Sequence, residues 1–330
     1  MKEAQAIPAP RTAGETELGG RLALFPGQGS QAQGMAEHLW GFSIAREAFA
    51  EAESVLGWDV GELCRHGSME DLTRTDRTQL TILTCSVATW RVLEARGASF
   101  TVAAGHSLGE YSALVATGHM GFADALRVVE VRGRGMQVCA EQRGGTMSAV
   151  IGLEAEVLEK ICSHLSDVWL ANYNSPGQLV ISGAVESVRE AGELALAKGA
   201  KRVLPLPVSG AFHTPFIAGA AESLAQALAE VQFLQGRRRF FSTTESRYPE
   251  PDELAGVLAR QLMSPVRFMQ SMEMLLDSGD APVEGLEIGP GGVLTGLVKR
   301  IARDFRVAST GDADTLQEAL NAIEETGGSR

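Results

Sequence analysis

Short apolar runs alternate along the chain with longer stretches whose apolar positions recur every three or four residues, the pattern of strands followed by helices. Arg21–Phe25 is a short apolar strand that breaks into Pro26-Gly-Gln-Gly-Ser-Gln31. The two glycines there either let the backbone approach a ligand or make a plain turn. Residues 36–64 read as helices interrupted near Gly57, and residues 79–96 as one long helix that stops at Gly97. Phe100–Ala104 is a second apolar run, and the residues from Ser107 to Val115 have helix-forming composition. Residues 121–140 form the most informative helix. Phe122, Ala125, Val129, Arg132, Met136 and Cys139 fall on one face of it, five apolar residues and one arginine.

Residues 144–207 read as a distinct unit. Thr146–Ile151 is a strand and Glu154–Leu165 a helix. Val168–Tyr173 and Gln178–Ser182 are strands joined by Asn174-Ser-Pro-Gly177, and Val185–Lys198 and Lys201–Leu206 are a helix and a last strand. The order β-α-β-β-α-β is that of a ferredoxin-like split unit. Beyond it come an amphipathic helix to about Ala229, a strand at Phe240–Ser242, and helices at Leu254–Leu262 and Val266–Asp277. Gly285–Ile288 is a core strand, followed by a helix (Val293–Arg303), a strand (Arg306–Ala308) and a helix (Thr315–Glu325). The expected organisation is a large α/β unit from residues 21–143 and 208–318, with residues 144–207 inserted as a small lid. Residues 1–20 are expected to be a disordered tail, and residues 319–330 a helix end and tail.

A 330-residue chain with 45% hydrophobic and 21% charged residues is ordinary for a globular enzyme. Its net charge of −12 argues against nucleic acid as the main partner, since phosphate binding needs a basic surface. The four cysteines show no paired or zinc-site spacing and read as reduced thiols of a cytoplasmic protein. No run reaches the ~18 apolar residues of a membrane helix, and the first residues lack the apolar core of a signal peptide.

Chemistry enters with Gly105-His-Ser-Leu-Gly109, a Gly-x-Ser-x-Gly stretch between the second apolar run and a helix. That context suits a nucleophile elbow, in which Ser107 projects from a tight turn at a helix N-terminus. The arginine on the apolar stripe either snorkels to solvent or stands in a cleft to receive a planar anion in bidentate fashion. His213, in Ala211-Phe-His213, is either the general base or a packed core histidine. His106 is expected to point away from its neighbour Ser107. No convincing triad acid is evident.

Six stretches, Leu24–Gln31, Gly105–Leu114, Val131–Gln137, Asn172–Gln178, Ala211–His213 and Glu287–Gly296, together resemble the malonyl-CoA:acyl carrier protein transacylases and the related acyltransferases of polyketide synthases. The resemblance spans roughly residues 21–310. It implies an α/β-hydrolase-like core with a parallel sheet plus the inserted ferredoxin-like (βαββαβ) unit. It implies Ser107 as nucleophile, His213 as its base, and the backbone N–H groups of Gln28 and Leu108 as oxyanion hole. Arg132 matches the arginine that binds the malonyl carboxylate, and Gln261 the residue whose main-chain carbonyl orients the histidine. The implied reaction is ping-pong transfer of malonyl from malonyl-CoA to the phosphopantetheine thiol of an acyl carrier protein, with no metal or bound cofactor.

Leu108 and Phe212 follow the malonyl rather than the methylmalonyl pattern, Phe212 narrowing the room for an α-branch. Gly210-Ala-Phe-His213 is similar to malonyl-selective polyketide acyltransferases, and the short chain ends suggest a free-standing, trans-acting loader. Alternatives are a housekeeping fatty-acid transacylase, a carrier-protein acyltransferase for another acyl group, and a proofreading hydrolase, which commonly lacks the arginine. Gln79-Leu80 departs from the family's usual Gln-Pro. Lys299, Arg300 and Arg303, and also Arg237–Arg239, are basic clusters that would dock an acidic carrier protein or are ordinary solvated charge.

Overall fold

The computed structural model describes residues 20–327 apart from Ser209 and Asp280; the tail expected at residues 1–20 lies, Gly20 excepted, outside the described residues, as do residues 328–330. In chain order the strands are β1 (Arg21–Phe25), β2 (Val102–Gly105), β3 (Thr146–Ile151), β4 (Val168–Ser175) and β5 (Gln178–Gly183). β6 (Arg202–Pro205), β7 (Arg239–Phe240), β8 (Glu284–Glu287) and β9 (Val307–Ser309) follow. They form a five-stranded sheet of order β7-β2-β1-β8-β9, parallel at every pairing, and a four-stranded antiparallel sheet of order β4-β5-β3-β6. The fold is thus mixed α/β with the ferredoxin-like strand order in its smaller sheet.

β1 is central and buried on both faces, which is why it reads as a continuous apolar run. Leu22 and Leu24 pack with Val102 and Ala104 against Phe268, Met272, Leu294 and Leu297 on one face. Ala23, Phe25 and Ala103 face the helices Thr75–Ala95, Gly109–Thr117 and Phe122–Arg143 on the other. The first of these begins at Thr75, ahead of the expected residue 79, with Thr75 and Thr78 of its polar first turn buried. The helix tolerates a polar interior by self-satisfaction: Thr84 and Thr89 hydroxyls each donate at 2.8 Å to the carbonyl four residues back. A short helix at Met69–Thr73, capped by Ser68, precedes it and has no counterpart in the sequence reading.

In the antiparallel sheet the two-residue alternation divides the labour. Val150, Leu179 and Ile181 pack with Leu158, Ile161 and Val188 of the helices Ala155–Ser163 and Val185–Ala197. Their neighbours Met147, Ala149 and Val180 turn the opposite way and join the core of the larger unit. β4 is tied to that unit by backbone bonds, Tyr173 N–H to the Val266 carbonyl and Val266 N–H to the Ala171 carbonyl, both 2.8 Å.

Candidate active site

β2 runs into Gly105, and the Gly109–Thr117 helix starts after only three intervening residues. Ser107 takes φ 51°, a left-handed conformation costing a non-glycine residue about 1–2 kcal/mol. The flanking glycines are sterically required. A Cβ on Gly105 would lie 2.0 Å from the Gly109 carbonyl carbon, and one on Gly109 would lie 1.9 Å from the Phe25 carbonyl oxygen. The elbow is therefore clamped against the end of β1.

His213 meets this turn from 106 residues downstream. Its Nε2 lies 2.9 Å from Ser107 Oγ. Its Nδ1 faces two main-chain carbonyls, Gln261 at 3.2 Å and Ser264 at 3.0 Å. Carbonyls only accept, so Nδ1 carries the proton and Nε2 is left as acceptor for the serine hydroxyl. Burial, then the Arg132 cation and then His106 push the His213 pKa down to about 3, against the upward pull of the two carbonyls. The imidazole is thus neutral, with Nε2 free to accept, but its proton affinity is low. Among the described residues no carboxylate is bonded to it.

The stripe on the Phe122–Arg143 helix is buried along its whole length, Arg132 included, which is only 2% exposed. Snorkelling is overturned. The Thr75–Ala95 helix packs over that face, and Gln79 accepts from Arg132 Nη1 at 2.5 Å. Arg132 Nη2 donates to Ser107 Oγ at 3.0 Å and to Gln261 Oε1 at 3.2 Å, while Nε is buried without a partner. Burial lowers the arginine pKa, but a guanidinium remains a cation. Ser107 Oγ therefore sits between a proton acceptor and a fixed positive charge.

A cavity of about 210 Å³ opens between the elbow and the antiparallel sheet. Gln28, Ser107, Leu108, Arg132, Phe212 and His213 all line it. Gln28 accepts from the Thr75 hydroxyl at 3.0 Å through its side chain, and its loop lies against the elbow: a Cβ on Gly27 would be 2.3 Å from the His106 carbonyl oxygen. Met147, Ala149 and Val180 form the opposite wall. His106 also borders the cavity, but its ring bonds Asn174 of β4 at 2.9 Å rather than Ser107. A wider groove of about 560 Å³ reaches His213 past Trp169 and Met263 but contains neither Ser107 nor Arg132.

Three further positions at the site, Ser264, Gln79 and Glu110, carry no role that the sequence pattern shows. Ser264 contributes only a carbonyl, which leaves no residue-type signal. Gln79 departs from the family pattern only in its neighbour Leu80, and its grip on Arg132 depends on helix packing. Glu110, fully buried just after the elbow, accepts from the Gln261 side chain. The basic clusters also separate. Arg238 pairs with Glu94 at 3.0 Å and stacks on Trp90 and Phe100, so it is structural. Lys299, Arg300 and Arg303 are exposed, and Arg300 donates to Gln178 at the cavity rim at 2.6 Å. The four cysteines are buried and unpaired, and burial raises the Cys64 and Cys162 thiols. Among the described residues no helix is long and apolar enough to cross a membrane.

The acyl transferase domain family matches residues 23–322. A malonyl CoA-acyl carrier protein transacylase from Salmonella typhimurium is 43% identical over 305 residues, 90% of this chain and 97% of that protein. Among solved structures, a malonyl-transacylase in complex with a type II PKS acyl-carrier protein superposes with TM-score 0.88. It is 39% identical and covers 92% of this chain and 99% of that one. The malonyl CoA-acyl carrier protein transacylase of Coxiella burnetii gives 0.87 at 36% identity, covering 93% and 98%. A clamped serine elbow, a neutral histidine and a buried arginine at one cavity thus coincide with end-to-end likeness, and the chain belongs to the acyl transferase family, among the malonyl CoA-acyl carrier protein transacylases.

Proposed function

We propose that this chain transfers malonyl from malonyl-CoA to the phosphopantetheine thiol of an acyl carrier protein, through a malonyl ester on Ser107. His213 Nε2 takes the hydroxyl proton as Oγ attacks the thioester carbonyl. The backbone N–H groups of Gln28 and Leu108 receive the oxyanion. Collapse breaks the C–S bond, and the departing coenzyme A thiolate recovers the proton from His213. The carrier thiol then attacks the ester, its proton passing through His213 back to Ser107. Every group in this cycle belongs to the chain or its two substrates.

The observation that carries the reading is the buried Arg132 sharing Ser107 Oγ with His213. A cation in that place selects an acyl group with a free carboxylate. It has a second effect. Arg132 helps depress His213. A malonyl carboxylate on the guanidinium cancels that charge, so substrate binding raises the proton affinity of the base just when it is needed. Intact-protein mass spectrometry tests the core of the proposal: wild type should gain one malonyl mass from malonyl-CoA and Ser107→Ala none. A malonyl mass on the alanine variant would refute it.

The acceptor is a carrier protein of polyketide assembly in this reading, reached in trans in the cytoplasm, with Lys299, Arg300 and Arg303 meeting its acidic surface. Gly210–His213 supports this, as does the likeness to a transacylase solved with a type II PKS carrier. Phe212 and Leu108 at the cavity support the preference for an unbranched malonyl. The second reading, a fatty-acid carrier, is separated by competition between the two carriers for malonyl-enzyme; preferential loading of the fatty-acid carrier would favour it.

A further inference from the structure

Glu110 has no exposed surface, yet it is a carboxylate surrounded by donors. Its Oε1 accepts from the Ser242 hydroxyl and the Thr244 N–H, each at 3.0 Å. Its Oε2 accepts from the Thr244 hydroxyl at 3.0 Å and from Gln261 Nε2 at 2.6 Å. Thr243 Oγ1 is 3.2 Å from Oε1 but donates to the Gly105 carbonyl at 2.6 Å. A carboxylate is not a typical buried residue, and this one is placed one residue past the elbow glycine.

Gln261 is the only residue bonded to every part of the centre among the described ones. Its main-chain carbonyl accepts from His213 Nδ1, its Oε1 from Arg132, and its Nε2 donates to the Ser107 carbonyl at 3.0 Å as well as to Glu110. An amide has two orientations of equal shape. The reversed one would set NH2 against the Arg132 guanidinium and oxygen against the Ser107 carbonyl and Glu110. We propose that Glu110 is a positioning residue for acyl transfer, locking the Gln261 amide and thereby the relative placement of Ser107, His213 and Arg132. It also supplies negative charge one amide away from Arg132. The guanidinium keeps no direct carboxylate partner among the described residues, and its grip is left for the substrate.

This inference rests on the reading of Ser107, His213 and Arg132 above. Its test is a cycle of Glu110→Gln, Gln261→Met and the double variant, followed by single-turnover malonyl-enzyme formation and by melting temperature. Glu110→Gln should slow acylation about ten- to a hundredfold in folded protein and reduce the preference for malonyl- over acetyl-CoA, as misplacement of reacting groups does. The double variant should be no slower than the slower single one, since both act through one amide. Acylation within about twofold of wild type, or rate losses that multiply in the double variant, would overturn the proposal and leave Glu110 a stability residue. Should Glu110→Gln not fold, Thr244→Val removes one donor and takes its place in the cycle, with about two- to fivefold slowing and the same non-additivity expected; no slowing, or multiplying losses, again overturns it. Failure of the underlying reading looks different: Ser107→Ala would still acquire a malonyl mass.

Discussion

In the parallel sheet both faces of β1 are covered by core, whereas the antiparallel sheet covers one face with its own helices and turns the other to the cavity. The parallel sheet therefore ends in a rigid edge, where β2 delivers a strained serine held against β1. The antiparallel sheet ends in a wall of Met147, Ala149 and Val180, which carries no ionisable atom. Ser107, Arg132 and His213 all lie outside that sheet. One region should thus set the rate of the chemistry and the other the shape of what is accepted.

The sharpest way to break this division is Arg132→Ala. Malonyl-enzyme formation should fall by about 10²–10³, as on removal of a preorganised charge, while acetyl-CoA gains relative to malonyl-CoA. Unchanged malonyl kinetics would take Arg132 out of the site.

The pH profile comes next. His213 must be neutral to act, and its pKa is held at about 3 in the free enzyme. The acid limb of kcat/KM should accordingly lie far below pH 6.5, leaving the rate flat from pH 7 to 5; an unperturbed histidine would lose about 25-fold over that range. Stability has its own sign. Between the unfolded histidine value and about 3 the unfolded chain binds the proton that the folded one refuses, so this group makes the protein less stable as pH falls through that window.

Charge reversal at Lys299 and Arg300 tests the rim. The KM for the carrier protein should rise about three- to tenfold and become less salt-dependent, with malonyl-CoA acylation unaltered. A carrier KM that does not move would remove this patch from docking. Val180→Ala should have the smallest effect. Malonyl acylation should stay within about threefold while methylmalonyl-CoA improves by a similar factor, because one or two methylenes are worth little discrimination. A large loss of malonyl rate would show that the wall does more than shape the cavity.

Much of this was legible in local patterns. Strands buried on both faces announced themselves as apolar runs, and the βαββαβ order of the smaller sheet followed from alternating short and long segments. The stripe of Phe122, Ala125, Val129, Arg132, Met136 and Cys139 identified an arginine on a core face, although whether it snorkelled was open. Its neighbour Gln79, 53 residues earlier, could not be paired with it, because only the packing of two helices brings them together. Glu110 passed as an ordinary helix residue, since a carboxylate's burial depends on the Ser242–Thr244 loop that folds over it from far along the chain.

The residue pattern alone specified the strained elbow, the apolar strands and the helix that carries Arg132, because steric limits at glycine and the periods of strand and helix act within a few residues. The assembly of Ser107, His213, Arg132, Gln261 and Glu110 into one bonded set was decided only by tertiary packing. Hydrogen bonds form over about 3 Å, and the partners here lie 25 to 154 residues apart in the chain.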